Sequence, residues 1–353
     1  MIQVIEEKKY WDDFISYFEE SDLYHTFDYH MIAKGDHRPI LLKYTEGKAC
    51  IGLPLLIRKI PDTSYYDATS VYGYVGPLCK NILIDFDEKH FENELIEYFT
   101  LNNIISVFSR LNPFLPLQQK VLNKIGFIEK KGRVVSINLK KNIDLQRQEF
   151  SKRLKGQLNK IRKHCHVKNV TNDVELQEFI DIYHENMDRV NAEAMYYFNK
   201  KYFKSILKSN SYNTETLLVV HNESKEVIGG SMFFFKNSII HYHLSGSKRE
   251  FLHLMPSKLL IDEMRIRATH MGLNYFNLGG GLGGNDDSLL QFKTSFSKNI
   301  KDFYVWKLIV KPLTYNDMVR KCNINNKAVI DFFPAYRNQV NKLHAKSFEN
   351  FIK

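Results

Sequence analysis

A glycine-rich run late in the chain is the segment of the sequence best suited to bind a ligand or to shape a pocket. Residues 276–296 read FNLGGGLGGNDDSLLQFKTSF, with five glycines between positions 279 and 284. Because glycine lets backbone amides come close to a ligand, such a run can cradle a phosphate or shape a pocket. No Gly-Lys-Ser/Thr follows it, so it is not a P-loop. Its formal match to GxGxxG lies too late in the chain for a dinucleotide-binding fold.

An aromatic turn is the second segment with chemical potential. Residues 65–78 read YYDATSVYGYVGPL, in which Gly73 and Gly76 mark a turn. Such a turn lets the backbone approach a ligand while the hydroxyls of Tyr72 and Tyr74 donate hydrogen bonds. The same pattern fits a tightly packed loop without a ligand equally well.

Two further segments combine polar and aromatic residues. Residues 22–36 read DLYHTFDYHMIAKGD, and residues 241–260 read HYHLSGSKREFLHLMPSKLL. In the second of these a strand ends, and a helix is predicted to begin near Pro256, since proline is favoured in a first helical turn. Both segments are candidates for substrate contact.

Several common catalytic arrangements are missing from the sequence. It contains no GxSxG elbow, no HExxH and no paired cysteines. The trio His164-Cys165-His166 lies in a basic stretch without a nearby carboxylate, so we expect no bound metal. An acyl transfer to an amine needs none of these groups, because the incoming amine is itself the nucleophile. The protein must orient two substrates, accept a proton and stabilise an oxyanion.

A basic stretch lies near the middle of the chain. Residues 146–168, QRQEFSKRLKGQLNKIRKHCHVK, hold eight lysines and arginines against one glutamate. Leu154, Leu158 and Ile161 fall at helical spacing and predict one apolar stripe on a helix. The other faces are basic, which fits either a solvated surface helix or a helix that contacts phosphates.

The elements that must position these segments form a loose internal repeat. Residues 39–57 and 216–235 each read as strand, polar turn and strand, and in each the second strand begins with Ile-Gly. Residues 91–108 and 257–278 then each read as helix and strand, and a further helix and strand follow in both halves. An offset that stays near 170 residues predicts two copies of one α/β unit.

We therefore predict an α/β fold of tandem mixed sheets with flanking helices, residues 1–145 and 146–312 forming the two copies. A helical tail is predicted over residues 313–353, with a helix across NKAVIDFFPAYRNQVNKL that Pro334 interrupts. The alternative is a single large α/β domain whose elements merely alternate.

Composition and charge agree with a folded protein that has an anionic partner. The chain has 353 residues, of which 44% are hydrophobic and 13% aromatic, so it can bury a substantial core. Its net charge of +10 favours nucleic acid, a nucleotide sugar or a membrane surface as partner. No apolar run reaches the ~20 residues that a membrane span needs, and the mixed N-terminus is not a signal peptide. We expect a cytoplasmic protein.

Taken in order, these segments resemble a known family. The resembling stretches span nearly the whole chain; they are LYHTFDYH, DATSVYGYVGP, SKRLKGQLNKIRKH, ENMDRVNAEAMYYFNKKYF, SGSKREFLHLMPSKLL and NLGGGLGGNDDSLLQFKTSF. They are similar to the Fem family of aminoacyl-tRNA-dependent transferases and to the BioF2-like acyltransferases of the GNAT superfamily. Residues 146–168 are too short for a coiled-coil arm, so the chain resembles the compact members.

The resemblance implies both an activity and a set of site residues. Fem-type enzymes take an amino acid from a charged tRNA and attach it to an amino group of a cell-wall precursor carried by a uridine nucleotide or a lipid. By this resemblance, Lys34 and Arg189 converge on the diphosphate of the acceptor, and Phe292 and Lys293 lie at the reaction centre. A lysine there stabilises the developing oxyanion or the leaving ribose oxygen.

The remaining residues expected at the site follow from the same segments. Further substrate-binding residues are Tyr72, Tyr74, Asn112, His243, Ser257 and Lys258. The expected tRNA-binding residues are Lys155, Lys160, Arg162 and Lys163. No bound cofactor or metal is expected, since the donor is a co-substrate.

One departure from the family pattern concerns the base and the acceptor. Peptidoglycan members often carry Asp-Pro where this chain has Asn112-Pro113, so a carboxylate base is lacking at that point. Asp286 and Asp287 are the only acids in the glycine-rich segment. The Tyr-rich turn is similar to that of relatives linked to surface polysaccharide. The candidate acceptors therefore also include an amino sugar or a uronic acid derivative.

Two other functions stay open from the sequence. One is an N-acyltransferase that uses acyl-CoA and acts on an amino sugar; against it, the helix entry at residues 252–257 lacks the glycine-rich pyrophosphate loop. The other is a non-catalytic relative that binds a glycan or nucleic acid, for which Lys293 would be dispensable.

Overall fold

The apolar pattern between positions 38 and 59 forms a β-hairpin, as predicted, in a computed structural model that describes residues 2–322 and 332–338. Thirteen strands lie among these residues: β1 (Gln3–Ile5), β2 (Arg38–Glu46), β3 (Ala49–Lys59), β4 (Tyr66–Thr69), β5 (Leu78–Lys80), β6 (Ile104–Arg110), β7 (Phe127–Asn138), β8 (Cys165–Asn169), β9 (Asn213–His221), β10 (Val227–Lys236), β11 (Ile239–Ser247), β12 (Tyr275–Gly279) and β13 (Ile300–Ile309).

Eleven α-helices alternate with the strands in the same described part of the chain. They are α1 (Lys8–Ser16), α2 (Phe27–Ala33), α3 (Glu88–Leu101), α4 (Leu117–Leu122), α5 (Ile143–Gln148), α6 (Lys152–His164), α7 (Asp173–Arg189), α8 (Lys200–Leu207), α9 (Pro256–His270), α10 (Ser288–Thr294) and α11 (Pro312–Lys321). Short 3-10 helices lie at Leu23–His25, Ala194–Tyr196, Arg249–Leu254, Leu282–Gly284 and Ala335–Arg337.

The chain forms two units. The first unit comprises Met1–Lys131 and Phe303–Lys353, and the second unit is Gly132–Asp302. The order of elements from β1 to β7 recurs from β8 to β13, except that β5 has no counterpart. The sequence boundaries near residues 145 and 312 stay a prediction of where the two copies begin and end. Much of the predicted tail helix falls outside the described residues.

The first unit is built on a mixed sheet. Its strands lie in the order β1-β2-β3-β4-β6-β13, and β5 pairs with β3. β4 runs parallel to β6, while β13 pairs antiparallel with β6 through Val305 and Arg110. α3 turns Phe91, Leu95 and Phe99 into the core, a helical spacing that buries one apolar stripe. The sheet thus holds the turn between β4 and β5 at a fixed place.

The second unit also has mixed strand pairing. Its strands lie in the order β7-β12-β11-β10-β9-β8, with β11 and β12 parallel. Because successive strand residues face opposite sides, Gly229 and Gly230 admit one helix each. A Cβ on Gly229 would lie 2.6 Å from Pro256 of α9, and one on Gly230 would lie 2.6 Å from the Phe179 ring of α7. Helices therefore pack on both faces, and the predicted fold class of mixed sheets with flanking helices is confirmed.

Candidate functional site

Lys293 is a lysine buried in the second unit, with only 7% of its surface exposed. It lies on α10, three residues after the buried Leu290, so both side chains share the inward face of the helix. Its ammonium donates a hydrogen bond to the carbonyl oxygen of Gly280 over 2.5 Å. A lysine ammonium has three N–H donors, and no second partner for it occurs among residues 2–322 and 332–338.

Burial also changes the proton equilibrium of this lysine. Desolvation lowers the pKa of Lys293 to about 8, and the negative charge of Asp287 opposes that shift. At neutral pH the ammonium form therefore still predominates. A charged donor that is shielded from water interacts strongly with any developing negative charge nearby.

The glycine run supplies the carbonyl that holds Lys293. A Cβ on Gly280 would lie 2.3 Å from the carbonyl oxygen of Arg133, and one on Gly281 would lie 2.4 Å from a carboxylate oxygen of Asp287. Glycine is therefore required at both positions for the loop to lie this close to β7 and to the start of α10. In this structure the run packs closely against β7 and the start of α10, and its roles in phosphate binding or in shaping a pocket stay predictions.

Phe292 lies beside Lys293 and is partly buried. Its ring packs edge-on against the buried Phe296 at 5.7 Å between centroids, so Phe292 joins the apolar core of the second unit. The ammonium of Lys258 lies 5.9 Å from the Phe292 centroid and donates to Gln157 over 2.7 Å. Gln157 belongs to α6, so this contact joins the basic helix to the ring of Phe292.

Ser257 belongs to a cluster of hydroxyls that the sequence did not reveal. Its oxygen lies 3.1 Å from that of Ser247, and Ser231 donates to Ser245 over 2.8 Å. The hydroxyl of Tyr242 bonds to this cluster, and burial raises the pKa of Tyr242. The first turn of α9 is thus fixed to β10 and β11 by side-chain hydrogen bonds.

His243 faces the other side of that sheet. Its ring stacks on Phe234 at 4.1 Å between centroids, and its Nε2 lies 3.0 Å from the hydroxyl of Tyr202. Desolvation lowers the pKa of His243 to about 3, so its ring is neutral at physiological pH. The pairing of β11 with β10 shifts between Leu244 and Tyr242, so β11 has an extra residue at His243. Such a bulge breaks the regular alternation of faces, and the structure does not bring His243 together with Ser257 and Lys258.

Asn112 bonds to the aromatic turn of the first unit. Its amide nitrogen donates to Asp22 over 3.1 Å and to the carbonyl oxygen of Tyr74 over 3.2 Å, and its side chain is almost fully buried. Tyr72 is 54% exposed, and the Arg110 guanidinium lies 5.1 Å from its ring centroid. A hydrogen bond from the buried Asn112 therefore holds the aromatic turn, while the ring of Tyr72 is exposed to solvent.

Two predicted cations lie at the ends of helices. Lys34 is the half-buried residue that follows α2, and Arg189 is the exposed last residue of α7, where it donates to Asn186 over 2.5 Å. Cations at this end of a helix complement its dipole. Nothing in the described structure other than this placement distinguishes Lys34 and Arg189 from ordinary surface cations.

The predicted tRNA-binding residues all lie on α6. The stripe of Leu154, Leu158 and Ile161 is buried as predicted, and it turns the basic faces outward. Lys160 and Lys163 are exposed to solvent. The other two predicted residues bond to neighbouring groups. Lys155 donates to the carbonyl oxygen of Gln148, and Arg162 donates to the buried Asp262 over 2.8 Å.

Within residues 2–322 and 332–338, no group of His, Cys, Asp and Glu side chains has an arrangement that could hold a metal ion. In the same part of the chain, no helix has both the length and the apolar composition required to cross a membrane.

Part of the chain matches a known protein family. Residues 213–318, which include the glycine run and Lys293, match the sequence model of the FemAB family. No curated protein matches the chain by sequence. These findings are consistent with a Fem-type protein of the GNAT superfamily, and they support an acyl- or aminoacyl-transferring enzyme.

Solved structures share the fold at low sequence identity. A crystal structure of FemX superposes with a TM-score of 0.68 at 13% identity, covering 89% of this chain and 99% of FemX. A conserved protein of unknown function from Bacteroides thetaiotaomicron gives 0.59 at 12% identity, covering 87% of this chain and 100% of that one. A C-terminal domain assigned to a lysylphosphatidylglycerol synthetase of Agrobacterium fabrum gives 0.55 at 12% identity, covering 89% and 97%.

Proposed function

We propose that the protein transfers an aminoacyl group from a charged tRNA to an amino group of a nucleotide- or lipid-linked precursor of the cell wall or of a surface polysaccharide. The observation that carries the proposal is the buried Lys293 ammonium. It donates one hydrogen bond to the carbonyl oxygen of Gly280 and has further N–H donors for a substrate oxygen. The match to the FemAB family and the likeness to FemX support aminoacyl transfer at the level of the family.

The proposed chemistry uses the acceptor amine as nucleophile. The amine attacks the ester carbonyl carbon of the aminoacyl-tRNA, the carbonyl π electrons move to oxygen, and Lys293 stabilises that oxyanion. The carbonyl then re-forms, the bond to the ribose oxygen breaks, and the ribose hydroxyl leaves with the proton that the amine has lost. An ammonium that meets charge only as it develops lowers the barrier rather than merely tightening substrate binding.

The route of the amine proton is inferred from the hydrogen bonds that the candidate bases already make. Asn112 is no base, and its amide is engaged by Asp22 and Tyr74. Both carboxylate oxygens of Asp287 accept backbone N–H groups, from Leu282 and Leu290. We therefore propose that the proton passes through water or through the leaving ribose oxygen.

The basic helix supports tRNA as the donor. α6 exposes its lysines to solvent and is joined through Gln157 and Lys258 to the ring of Phe292. Clustered lysines attract a polyanion such as tRNA, which also fits the net charge of +10. Charged tRNA is a cytoplasmic substrate, so the proposal puts the reaction in the cytoplasm, at the membrane surface if the acceptor is lipid-linked.

Lys34 of the first unit and Arg189 of the second unit are each proposed to bind an anionic group of the acceptor, and Tyr72 and Tyr74 are proposed to contact its sugar or base. Lys34→Ala and Arg189→Ala should each raise KM for a nucleotide-linked acceptor and leave kcat nearly unchanged. An unchanged KM in either variant would remove that residue from the proposed acceptor contacts.

Binding to the two classes of donor tests the proposal. The purified protein is titrated with aminoacyl-tRNA and with acetyl-CoA, side by side and at several salt concentrations. We expect aminoacyl-tRNA to bind with an affinity that falls steeply with salt, and acetyl-CoA to bind weakly. Tight acetyl-CoA binding without tRNA binding would replace this proposal with the acyl-CoA reaction on an amino sugar.

A further inference from the structure

Asp287 connects the glycine run to the helix that carries Lys293. One of its carboxylate oxygens accepts the backbone N–H of Leu282 over 2.8 Å, and the other accepts that of Leu290 over 2.9 Å. It is therefore the N-cap of α10, and Lys293 follows Leu290 by three residues on the same helix. One side chain thus joins the two pieces of backbone between which the Lys293 ammonium is held.

The loop held by Asp287 presents the carbonyl that binds Lys293. Gly280 precedes Leu282 by two residues, and its carbonyl oxygen lies 2.5 Å from the Lys293 ammonium. The close contact of Gly281 with the Asp287 carboxylate leaves no room for a side chain there, so the carboxylate also forms part of the loop's packing. A change at Asp287 consequently moves or loosens the carbonyl of Gly280.

Charge gives Asp287 a second route to Lys293. Backbone hydrogen bonds from Leu290 and Leu282 lower the pKa of Asp287, so it is ionised, and its charge opposes the desolvation of Lys293. The other charged side chains near the loop are already engaged. Arg133 on β7 pairs with Asp286 over 2.5 Å, and Lys258 on α9 donates to Gln157.

We propose that Asp287 is a positioning residue for the reaction: it fixes the glycine run so that Gly280 orients the Lys293 ammonium toward the substrate oxygen, and its charge favours the protonated form of that ammonium. This rests on the proposed function of Lys293. In this proposal Asp287 acts through the loop and not by contact with substrate, and because backbone hydrogen bonds lower the pKa of Asp287 it is a weak base for the amine proton.

Two changes at neighbouring acids test this role. Asp287→Asn removes the charge and one acceptor but keeps a good N-cap residue, and Asp287→Ser keeps the cap without the charge or the reach to Leu282. Asp286→Asn removes a charge from the same loop and serves as the matched control. We expect kcat to fall about 100-fold in Asp287→Asn with little change in KM, as for a catalytic group displaced by about 1 Å, and to stay near wild type in Asp286→Asn.

The decisive readout is the titration of Lys293 itself. Its side-chain NMR signal in lysine-labelled protein is assigned by its loss in Lys293→Met. Removal of a negative charge disfavours the ammonium, so the midpoint should move from about 8 to lower pH in Asp287→Asn and Asp287→Ser and stay in place in Asp286→Asn. The descending limb of the kcat–pH profile should move in the same direction.

The outcomes separate this inference from the proposed function. An unchanged Lys293 midpoint in both Asp287 variants overturns the positioning role, whatever their turnover, because a purely structural cap leaves that midpoint in place. Normal turnover by Lys293→Met instead overturns the proposed function, whatever the midpoint does.

Discussion

The ammonium of Lys293 and the carbonyl oxygen of Gly280 lie 2.5 Å apart, inside the second unit and away from water. A main-chain carbonyl accepts the hydrogen bond of the ammonium without neutralising its charge, as a carboxylate would do. The charge is therefore available to a substrate oxygen, and burial strengthens its effect. Burial of this ammonium costs folding free energy, and under the proposed function the same ammonium serves catalysis.

Lys293→Met should stabilise the protein at neutral pH. The pKa of Lys293 is about 8 in the folded chain against 10.5 for the free side chain, so below pH 8 its burial as an ammonium disfavours folding. After the lost bond to Gly280 is allowed for, we expect a gain of about 1–2 kcal/mol in the free energy of unfolding at pH 7. The wild type gains stability as pH rises from 8 to 10.5, so the difference in unfolding free energy between the two proteins should shrink over that range. Urea unfolding at several pH values measures both effects, and a Met variant less stable than wild type at pH 7 contradicts them.

Charge reversal on α6 should weaken tRNA binding. Lys152, Lys160 and Lys163 are exposed, and each change to Glu should weaken binding and lower the slope of log Kd against log salt by about 1. Arg162 is left unchanged because its ion pair with the buried Asp262 makes any loss at that position partly structural.

The matched control for α6 reverses three exposed lysines of α8 or its C-cap, Lys200, Lys201 and Lys208. This control and the α6 variant with Lys152, Lys160 and Lys163 all changed to Glu carry the same net charge. A general electrostatic effect would therefore weaken tRNA binding equally in the two. Filter binding at three salt concentrations compares them. Equal losses in the two variants would contradict a specific role for α6.

A methyl group at Gly76 should strongly destabilise the first unit. Gly76 has a φ of +64°, and a Cβ there would lie 2.2 Å from Oε1 of Gln118. That oxygen accepts the N–H of Asn112, so the side chain cannot move without loss of a buried hydrogen bond. We expect Gly76→Ala to lose roughly 3 kcal/mol of unfolding free energy.

The control for that change is Gly156→Ala on α6, where no atom lies within 4 Å of the new Cβ. Alanine favours a helix over glycine by about 0.5–1 kcal/mol, so this variant should be slightly more stable than wild type. Thermal or urea unfolding measures both, and a destabilised Gly156→Ala would refute the helical, exposed placement of that residue.

The buried His30 should make the protein sensitive to acid. Desolvation lowers the pKa of His30 to about 3, while its Nδ1 bonds to the carbonyl oxygen of Thr26 over 2.9 Å. The unfolded chain takes up a proton near pH 6.5 that the folded chain does not, so stability falls as pH drops from 6.5 toward 3. Asparagine keeps an N–H donor for Thr26 and does not titrate. Between pH 7.5 and pH 5, His30→Asn should therefore lose about 2 kcal/mol less than wild type, and parallel stability curves would show that His30 is not the cause.

The sequence predicts elements whose signal is local. The hairpin of β2 and β3, the start of α9 at Pro256 and the buried stripe of α6 all follow from spacing or from proline chemistry within a few residues. The pairing of β13 with β6 does not follow in this way, since the two strands are far apart in the chain and each is apolar enough to pair elsewhere.

Parts of the candidate site also lie beyond sequence reasoning. A main-chain carbonyl as the partner of Lys293 leaves no trace in side-chain types, and Arg162 reads as a solvated charge until α9 brings Asp262 beside it. The hydroxyls around Tyr242 come from two strands and a helix, so their contact depends on how these elements pack. The cap formed by Asp287 was within reach, because Asp before Ser-Leu-Leu is a common start of a helix.

Turnover with a labelled donor tests the central claim most directly. The wild-type protein and Lys293→Met are each given aminoacyl-tRNA labelled in its amino acid together with nucleotide- and lipid-linked glycan precursors, and label that joins the precursors through an amide is counted. The account predicts transfer by the wild type and a loss of at least about 100-fold in Lys293→Met, with tRNA binding retained. Transfer at a near-normal rate by the folded Lys293→Met protein would contradict it.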